Sequence, residues 1–427
     1  MPEKILFKYI DTPGQDKIDT YISNGGYTAL PKVLKEYKPE EIVEIVKKSG
    51  LRGRGGAGFP AGLKWSFIPK DTVKPIYLIA NADESEPGTF KDRQIMEYDP
   101  HLFLEGIIIS AYAIKCHTAF IYIRGEFAYC AKQMLRCIEE AKSKGLLGNN
   151  ILSSGFDLEV YVHRGGGAYI CGEETSLMES IEGKRALSRQ KPPFPAGEGL
   201  WECPTIINNV ETLSNVSYII NKGAESFASI GTEKSTGTKI YCLSGHINRP
   251  GNYELPMGTN LKELIYEYGG GIIDDRPLKA VIPGGSSVPV LKADEIDVNM
   301  DFEALAEKGT MLGSAGVIVM HDGTCMVSAL HRLAEFYEHE SCGKCTPCRQ
   351  GTNWMRKILT RMINGEGKPG DTDLLNNIAS NIMGNTVCPL GDAAAMPVMG
   401  FIDKFRDEFE NLCNGGKPKG TLHFPFK

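Results

Sequence analysis

The chain lacks an uncharged apolar run long enough to cross a bilayer: its best candidate, Leu102 to Ile114, is interrupted by Glu105 and falls short of the roughly 18 residues a span needs. Met1-Pro2-Glu3-Lys4-Ile5-Leu6-Phe7-Lys8 has no apolar core of signal-peptide length. Together these absences predict a soluble protein, one still able to dock onto membrane-bound partners. An excess of basic charge is also missing. With 47 Lys and Arg against 53 Asp and Glu, the formal charge is −6, so no bulk electrostatic term favours nucleic acid or an anionic lipid surface. Nor is there a disulfide rhythm. Cys116, Cys130, Cys137, Cys171, Cys203, Cys242, Cys325 and Cys413 are scattered through 427 residues, which favours a reducing compartment. A complete dinucleotide fingerprint is absent as well. Gly53, Gly55 and Gly58 match G-x-G-x-x-G literally, but a helical pattern over Pro39 to Lys48 precedes them where a strand is required, and Pro60 closes the run.

What is present is, first, Cys342-Gly343-Lys344-Cys345-Thr346-Pro347-Cys348, with Cys388-Pro389 about forty residues later. Thiolates at this spacing converge on a metal centre. A C-x2-C-x2-C run with a later Cys-Pro resembles a ferredoxin-type ligand set more than the two separated pairs usual for zinc, although zinc and incidental cysteines stay open. Cys388 fits as fourth ligand better than Cys325 or Cys413. Lys344 and Arg349 are either solvated cations or neighbours that raise the potential of a cluster made negative by four thiolates.

In a chain of this length two to four domains are expected. Ile76 to Ala80, Ala119 to Ile123 and the alternating Phe156, Leu158, Val160 and Val162 read as strands, with helices over Leu102 to Ile114 and Ala128 to Lys142. Strand and helix in alternation predict a parallel, doubly wound layer architecture. Three polar or glycine-rich stretches fall at its turns. Arg52 to Gly62 is either a flexible turn or a backbone cradle for a phosphate or flat ring; beside it Lys64, Trp65 and Phe67 read as a loop cation and two core aromatics, or as ligands. Asn81 to Gly88 follows a strand and is either a ligand cluster or a solvated acidic turn. Arg164 to Thr175 places a glycine loop between strand and helix, suited to phosphate, with Ile170 where a third glycine would fall; Glu173 and Glu174 there also complement a helix dipole. Lys191-Pro192-Pro193-Phe194-Pro195 is a stiff extended loop, and Asn208 to Thr212 is either a helix cap or a source of ligand amides.

Near Gly237 the composition shifts to a hairpin, Lys239 to Ser244 and Tyr253 to Leu255, followed by a helical face of Leu261, Leu264, Ile265 and Tyr268. Such a unit resembles a β-grasp domain and carries no catalytic signature, so a structural role is expected. From Met326 onward four helices suggest a bundle, the fourth running from about Ala393 to Leu412 with Pro397 bending its first turns, and both cysteine groups lie at helix ends. The expected organisation is an N-terminal segment with the glycine-rich loop (1–70), a Rossmann-like domain (71–236), a β-grasp domain (237–324) and a helical bundle (325–427).

Taken in order, LRGRGGAGFPAG (Leu51 to Gly62), NADESEPGTF (Asn81 to Phe90), GAYICGEET (Gly167 to Thr175), KPPFP (Lys191 to Pro195), NNVET (Asn208 to Thr212) and ESCGKCTPCR (Glu340 to Arg349) closely resemble the family of flavoprotein ("51 kDa") subunits of respiratory complex I, from about Gly25 to Lys404. The resemblance implies an α/β protein with a Rossmann-like FMN domain, a β-grasp domain and a four-helix bundle carrying a [4Fe–4S] cluster on Cys342, Cys345, Cys348 and Cys388. It implies that Gly53, Gly55, Lys64, Asn81, Asp83, Ser85, Gly172, Glu173, Asn208, Asn209 and Thr212 meet FMN. Gly56, Phe59, Phe67, Glu86, Glu174, Lys191 and Phe194 would meet NADH, and Arg54 joins the cofactor-binding set. The implied activity is NADH oxidation by hydride transfer to FMN and single-electron passage to the cluster, the hydride chemistry belonging to the cofactor rather than to a side-chain acid or base.

Implied partners are a thioredoxin-like [2Fe–2S] subunit and a large multi-cluster iron–sulfur subunit, with the membrane arm met only indirectly and the chain peripheral on the inner membrane face. With no cysteine before Cys116, no such [2Fe–2S] module is expected to be fused at the N-terminus. Two rivals remain at this stage: the diaphorase subunit of a soluble NAD-linked hydrogenase or formate dehydrogenase, and a zinc-stabilised scaffold without redox activity.

Overall fold

The computed structural model describes residues 4–418 and 420, so the extreme ends of the first and last expected segments lie outside the described residues. Four parallel strands, β1 (Tyr77–Ala82), β2 (Thr118–Ile123), β3 (Glu159–Arg164) and β4 (Thr205–Asn209), form a sheet in the order β3-β2-β1-β4. The continuous apolar character of β1 and β2 follows from burial of both faces. Leu78, Ala80 and Ala82 pack with Leu104, Ile107 and Ile108, whereas Ile79, between them, packs with Leu177 and Ile207 on the opposite face. Glu105, the charge that interrupts the longest apolar run, lies inside the buried helix Pro100–Ala113. Its carboxylate accepts from the Tyr21 hydroxyl at 2.6 Å and from the Tyr27 amide at 3.0 Å, which ties the N-terminal segment to the sheet's helical layer. Among the described residues no helix is long and apolar enough to cross a membrane.

The third strand departs from its expected bounds. Phe156 and Leu158 are buried but precede the strand, Leu158 pairing instead with Gly148 in an isolated bridge. Burial made them look like strand residues; an edge strand then exposes Tyr161, where an interior strand would cover it.

A second sheet follows, with β5 (Thr238–Gly245), β6 (Gly251–Pro256), β7 (Leu278–Ile282), β8 (Leu291–Lys292) and β9 (Gly316–His321) in the order β6-β5-β9-β7-β8. Its central pair, β5 and β9, is parallel, while β5–β6 and β7–β9 are antiparallel. Leu261, Leu264 and Ile265 seat the intervening helical turns against this sheet, giving the expected β-grasp unit.

Among the described residues four helices follow: Met326–Glu340, Thr346–Ile363, Asp371–Ile382 and Leu390–Cys413. Met326, Leu330 and Tyr337 face one core with Met355, Leu359, Leu375 and Phe401. The last helix starts at Leu390, three residues before the expected position, and Pro397 is buried within it. Its backbone leaves helical geometry at Phe405, with φ −131° and ψ 28°, rather than at the proline.

Candidate functional site: a cavity and a four-cysteine pocket

In the first sheet the chain order reverses between β1 and β4, which pair Asn81 with Asn209 at their carboxyl ends. Ligands of open α/β sheets sit at such a switch point. A cavity of about 480 Å³ opens there, within the size range of cofactor pockets. One wall is the glycine loop, through Gly55, Gly56 and Ala57; another is the turn after β1, through Asp83, Glu84, Ser85, Glu86 and Thr89. Lys91, Asp92 and Asn209 contribute further side chains, and Tyr169, Ile170, Gly172 and Glu173 close a third side.

The local reasons for this geometry are legible residue by residue. Asn209 caps the helix Val210–Ser214 by accepting from Glu211 N, and its amide also donates to Asp92 at 2.6 Å. Glu173 caps the helix Glu174–Ile181, accepting from the amides of Thr175 and Ser176. Each cap also lines the cavity, so capping does not take these residues away from it. Gly55 permits a close approach: a Cβ there would stand 3.0 Å from the Asn209 side chain. Asp83 keeps one buried carboxylate oxygen without a partner. Burial pushes its carboxyl up to about 7, against the pull of Arg124. An orphaned acceptor on the cavity wall suits a ligand hydroxyl, so the residues present fit a polyol-bearing cofactor such as FMN.

Beneath the cavity lies a buried charge network. The Lys91 ammonium meets Asp92 at 2.7 Å, Glu211 at 2.9 Å and the Asn209 side-chain oxygen at 3.1 Å. Glu211 also binds Lys239 of β5, and its carboxyl is held at about 2: burial raises it, and Lys239, Lys91 and Arg54 outweigh burial.

Of the cofactor-binding residues expected from sequence, Gly55, Gly56, Asn81, Asp83, Ser85, Glu86, Gly172, Glu173 and Asn209 line the cavity. A second group surrounds an ion cluster: Glu174 meets Lys64 at 2.9 Å and Lys191 at 2.5 Å. Burial raises the Glu174 carboxyl, but Lys64 and Lys191 bring it down to about 2. Phe59, Phe67 and Phe194 leave their rings largely exposed, and Phe59 and Phe67 stand 6.0 Å apart. Trp65 alone of the neighbouring aromatics is core, donating to Asn208 at 2.8 Å. A third group turns away. Arg54 is fully buried, its amide donates to Thr212 Oγ1 at 2.8 Å and its guanidinium donates to the Thr236 carbonyl at 2.7 Å, while Gly53 closes the loop by donating to Phe59 O.

The second domain does more than its expected structural role. Ser287, Val288, Met311, Gly313 and Ser314 line the cavity. Ser287 N donates at 2.8 Å to Glu86, whose other oxygen takes the Tyr169 hydroxyl at 2.6 Å. Arg52 reaches the same domain, meeting Glu303 at 2.5 Å and lying 4.0 Å over the Phe302 ring while donating to Gly58 O at 2.7 Å. Gly58, at φ +66°, fits under that ring only because it has no Cβ. Lys91 and Asp92 carried a sequence signal, a charged pair directly after the NADESEPGTF turn. Met311, Met383 and Met396 carried none, because distant packing alone brings them to the cavity.

The cysteines gather nearby. Cys342, Cys345, Cys348 and Cys388 pack in one apolar cluster with Ile170, Leu177, Ile207 and Leu390. Burial pushes the Cys348 thiol up to about 11, with Ser341 opposing and the other three cysteines adding to the rise. Among the described residues no three His, Cys, Asp or Glu side chains close on the volume of one metal ion. Four thiols in one apolar cluster are by their chemistry a donor set that fits an iron–sulfur group. Lys344 donates to Ser188 O at 2.6 Å, and Arg349 donates to Gly343 O at 2.7 Å, so both cations brace the cysteine loop.

Family models match the chain in three places: a Nuo51 FMN-binding domain over residues 46–218, an SLBB domain over 239–319, and an NADH-ubiquinone oxidoreductase-F iron-sulfur binding region over 328–412. The second of the F subunits of NADH-quinone oxidoreductase in Rhizobium meliloti is 55% identical over 96% of this chain and 97% of its own length. The corresponding F subunit of Rickettsia felis is 53% identical over 90% of this chain and 91% of its own. Among solved structures, an NAD+-reducing [NiFe]-hydrogenase in the H2-reduced state superposes with a TM-score of 0.85 at 32% identity, covering 99% of this chain and 67% of that one. With an FMN-binding domain, an SLBB domain and an iron–sulfur-binding region in this order, the chain belongs to the family of NADH-quinone oxidoreductase F subunits, which are oxidoreductase flavoproteins.

Proposed function

We propose that this chain is the NADH-oxidising subunit of an NADH–quinone oxidoreductase, with FMN in the cavity at the ends of β1 and β4, NADH entering past the exposed phenylalanines, and a [4Fe–4S] cluster on Cys342, Cys345, Cys348 and Cys388. The observation that carries this reading is a shared wall. Ile170 and Leu390 line the cavity and pack among the four cysteines, and Pro389, the neighbour of Cys388, lines the cavity too.

When bound, FMN supplies a two-electron acceptor that releases electrons singly, and the cluster supplies a one-electron acceptor. The chain's own residues then have only to hold, orient and exclude. Asp83 offers its unpartnered oxygen to a ribityl hydroxyl. Gly55 and Gly56 leave room for a flat ring to lie against backbone, and Asn81 and Asn209 fix its edge. Phe59, Phe67 and Phe194, all exposed, would offer their rings to a dinucleotide's bases, while the Lys64–Glu174–Lys191 cluster would set fixed charge beside it. Glu86, held by Tyr169 and Ser287, stands ready to accept from a ribose hydroxyl. The apolar wall that cavity and cysteines share keeps water from between them.

By family, the neighbours are a thioredoxin-like [2Fe–2S] subunit and a large multi-cluster subunit, with the chain peripheral on the cytoplasmic face and joined to the membrane arm only through them. Anaerobic reconstitution with FMN, iron and sulfide tests the reading: the loaded chain is expected to reduce ferricyanide with NADH. A colourless protein that retains zinc instead and is inert to NADH would overturn it. Copurification from the host with hydrogenase or formate dehydrogenase subunits, and without quinone-reducing partners, would assign the chain to a soluble diaphorase instead.

A further inference from the structure

The residue before the first cysteine of the triplet is Ser341, and its hydroxyl lies 3.2 Å from the Cys348 sulfur. With the sulfur deprotonated, as a metal ligand is, only the hydroxyl carries a proton for that bond. Gly343 N points at Ser341 Oγ at 3.4 Å, so the oxygen accepts there and its own proton is free for the sulfur. The hydroxyl is held in place from both sides. Ser341 N donates to Tyr337 O at 3.1 Å at the end of the helix Met326–Glu340, and Glu340, immediately before it, accepts from Tyr169 N at 2.8 Å. Cys348 is buried, so water does not compete for the sulfur. Ser188 is likewise buried, shares a 2.7 Å hydroxyl bond with Ser176, and accepts from Lys344 through its carbonyl.

We infer that Ser341 is a positioning and tuning residue for the one-electron step at the cysteine pocket: its hydroxyl donates to the Cys348 sulfur and raises the potential at which that pocket accepts an electron. A hydrogen bond to a ligating sulfur favours the state with more charge on sulfur, which is the reduced one. Its proton stays on oxygen throughout, so the step remains one electron in with no proton moved. Two features make the effect large for a single hydroxyl. The bond lies in a buried, apolar pocket where electrostatics are strong, and the donor is already oriented before any charge arrives.

This inference rests on the four cysteines holding an iron–sulfur cluster, and the test separates the two ideas. Iron content and the cluster's paramagnetic signal report on the cluster itself; its midpoint potential reports on the hydroxyl. In the holoprotein S341A is expected to keep its iron and FMN while the midpoint, followed by the paramagnetic signal in a redox titration, shifts to more negative values. S341T, which retains a hydroxyl, is expected to titrate with the wild type. An unshifted midpoint in an iron-replete S341A overturns the proposal. Should the alanine variant lose iron, the same-shape pair S341T and S341V carries the test: a more negative midpoint in the valine variant supports the role, and equal midpoints overturn it. Absence of any iron-dependent signal in the wild type would instead sink the cluster assignment.

Discussion

The cavity and the cysteine pocket share a wall yet are built on opposite plans. Three of the four cysteines come from seven consecutive residues and sit in an apolar cluster whose chemistry is all sulfur. The cavity draws on the glycine loop, the turn after β1, the Tyr169 to Glu173 segment, the second domain and the last helix, above a floor of buried charges. A compact ligand set depends on its few ligands and little else. A dispersed one depends on the devices that hold its pieces in register, so damage to it should be graded.

The largest effect should come from the compact side. Cys345→Ala is expected to abolish the cluster's paramagnetic signal after reduction while FMN remains bound at full stoichiometry, measured by flavin absorbance. Joint loss of both groups would show that the two regions are one cooperative site and break the comparison.

Next comes the charged floor. Glu211→Gln leaves Lys91 and Lys239 short of their shared anion in a fully buried place. Breaking such a pair costs about 3–5 kcal/mol, read as a drop in denaturation midpoint. Burial already pushes the Lys239 ammonium down to about 8, so it sheds its proton readily, and Asp92 stays beside Lys91; the loss should therefore fall at the low end.

At the Lys64–Glu174–Lys191 cluster the expected effect depends on pH. The folded Glu174 carboxyl titrates at about 2, below its ordinary 4.5, because Lys64 and Lys191 outweigh burial. A depressed folded value contributes stability above the unfolded one, and that contribution fades as pH falls from 4.5 towards 2. Glu174→Gln should thus lower the melting temperature at neutral pH, by an amount equivalent to about 2–3 kcal/mol, and match the wild type near the acid end. A gap that persists at low pH would assign the loss to packing instead of charge.

The same contrast explains what was legible in the sequence. The cysteine set could be found because ligands at C-x2-C-x2-C spacing are local, and the doubly wound sheet because burial on both faces writes continuous apolar strands. The nine cavity-lining residues among those expected lie in glycine-rich or polar stretches at turns and, for Asn81 and Asn209, at the ends of strands, where composition itself departs from that of a core. Arg54, a charged residue among glycines, looks available to a ligand; its guanidinium donates once, to Thr236 of the segment leading into the second domain, and its Nε and Nη1 are buried without a partner. Met396, on the last helix, and Met383, just past the end of the helix Asp371–Ile382, are illegible in principle, since a methionine there looks the same whether it faces a core or a cavity. For the β-grasp domain the missing signal was of another kind: Ser287 reaches the cavity through its backbone amide, which every sequence carries.

The smallest effect, and the one that most sharpens the contrast, concerns Arg52. This side chain spans the boundary between the glycine loop and the second domain through Glu303, the Phe302 ring and Gly58 O. Arg52→Ala removes a partly exposed charge-assisted bond and a stacking contact, worth about 1–2 kcal/mol together after solvent screening. If the second domain merely adds bulk, that loss appears as a small fall in global stability with FMN affinity unchanged. If it holds the loop against the cavity, the loss appears locally: FMN dissociates roughly ten-fold faster or more, while the melting temperature of the FMN-free chain hardly moves. Arg52→Lys keeps the charge facing Glu303 but gives up the planar donor geometry that reaches Gly58 O, so it should fall between the two. The cysteine pocket supplies the internal control. Among the described residues, none of the second domain packs in its apolar cluster, so the cluster's signal should be indifferent to Arg52, and a change there would show that the second domain's hold extends through the shared wall to both regions.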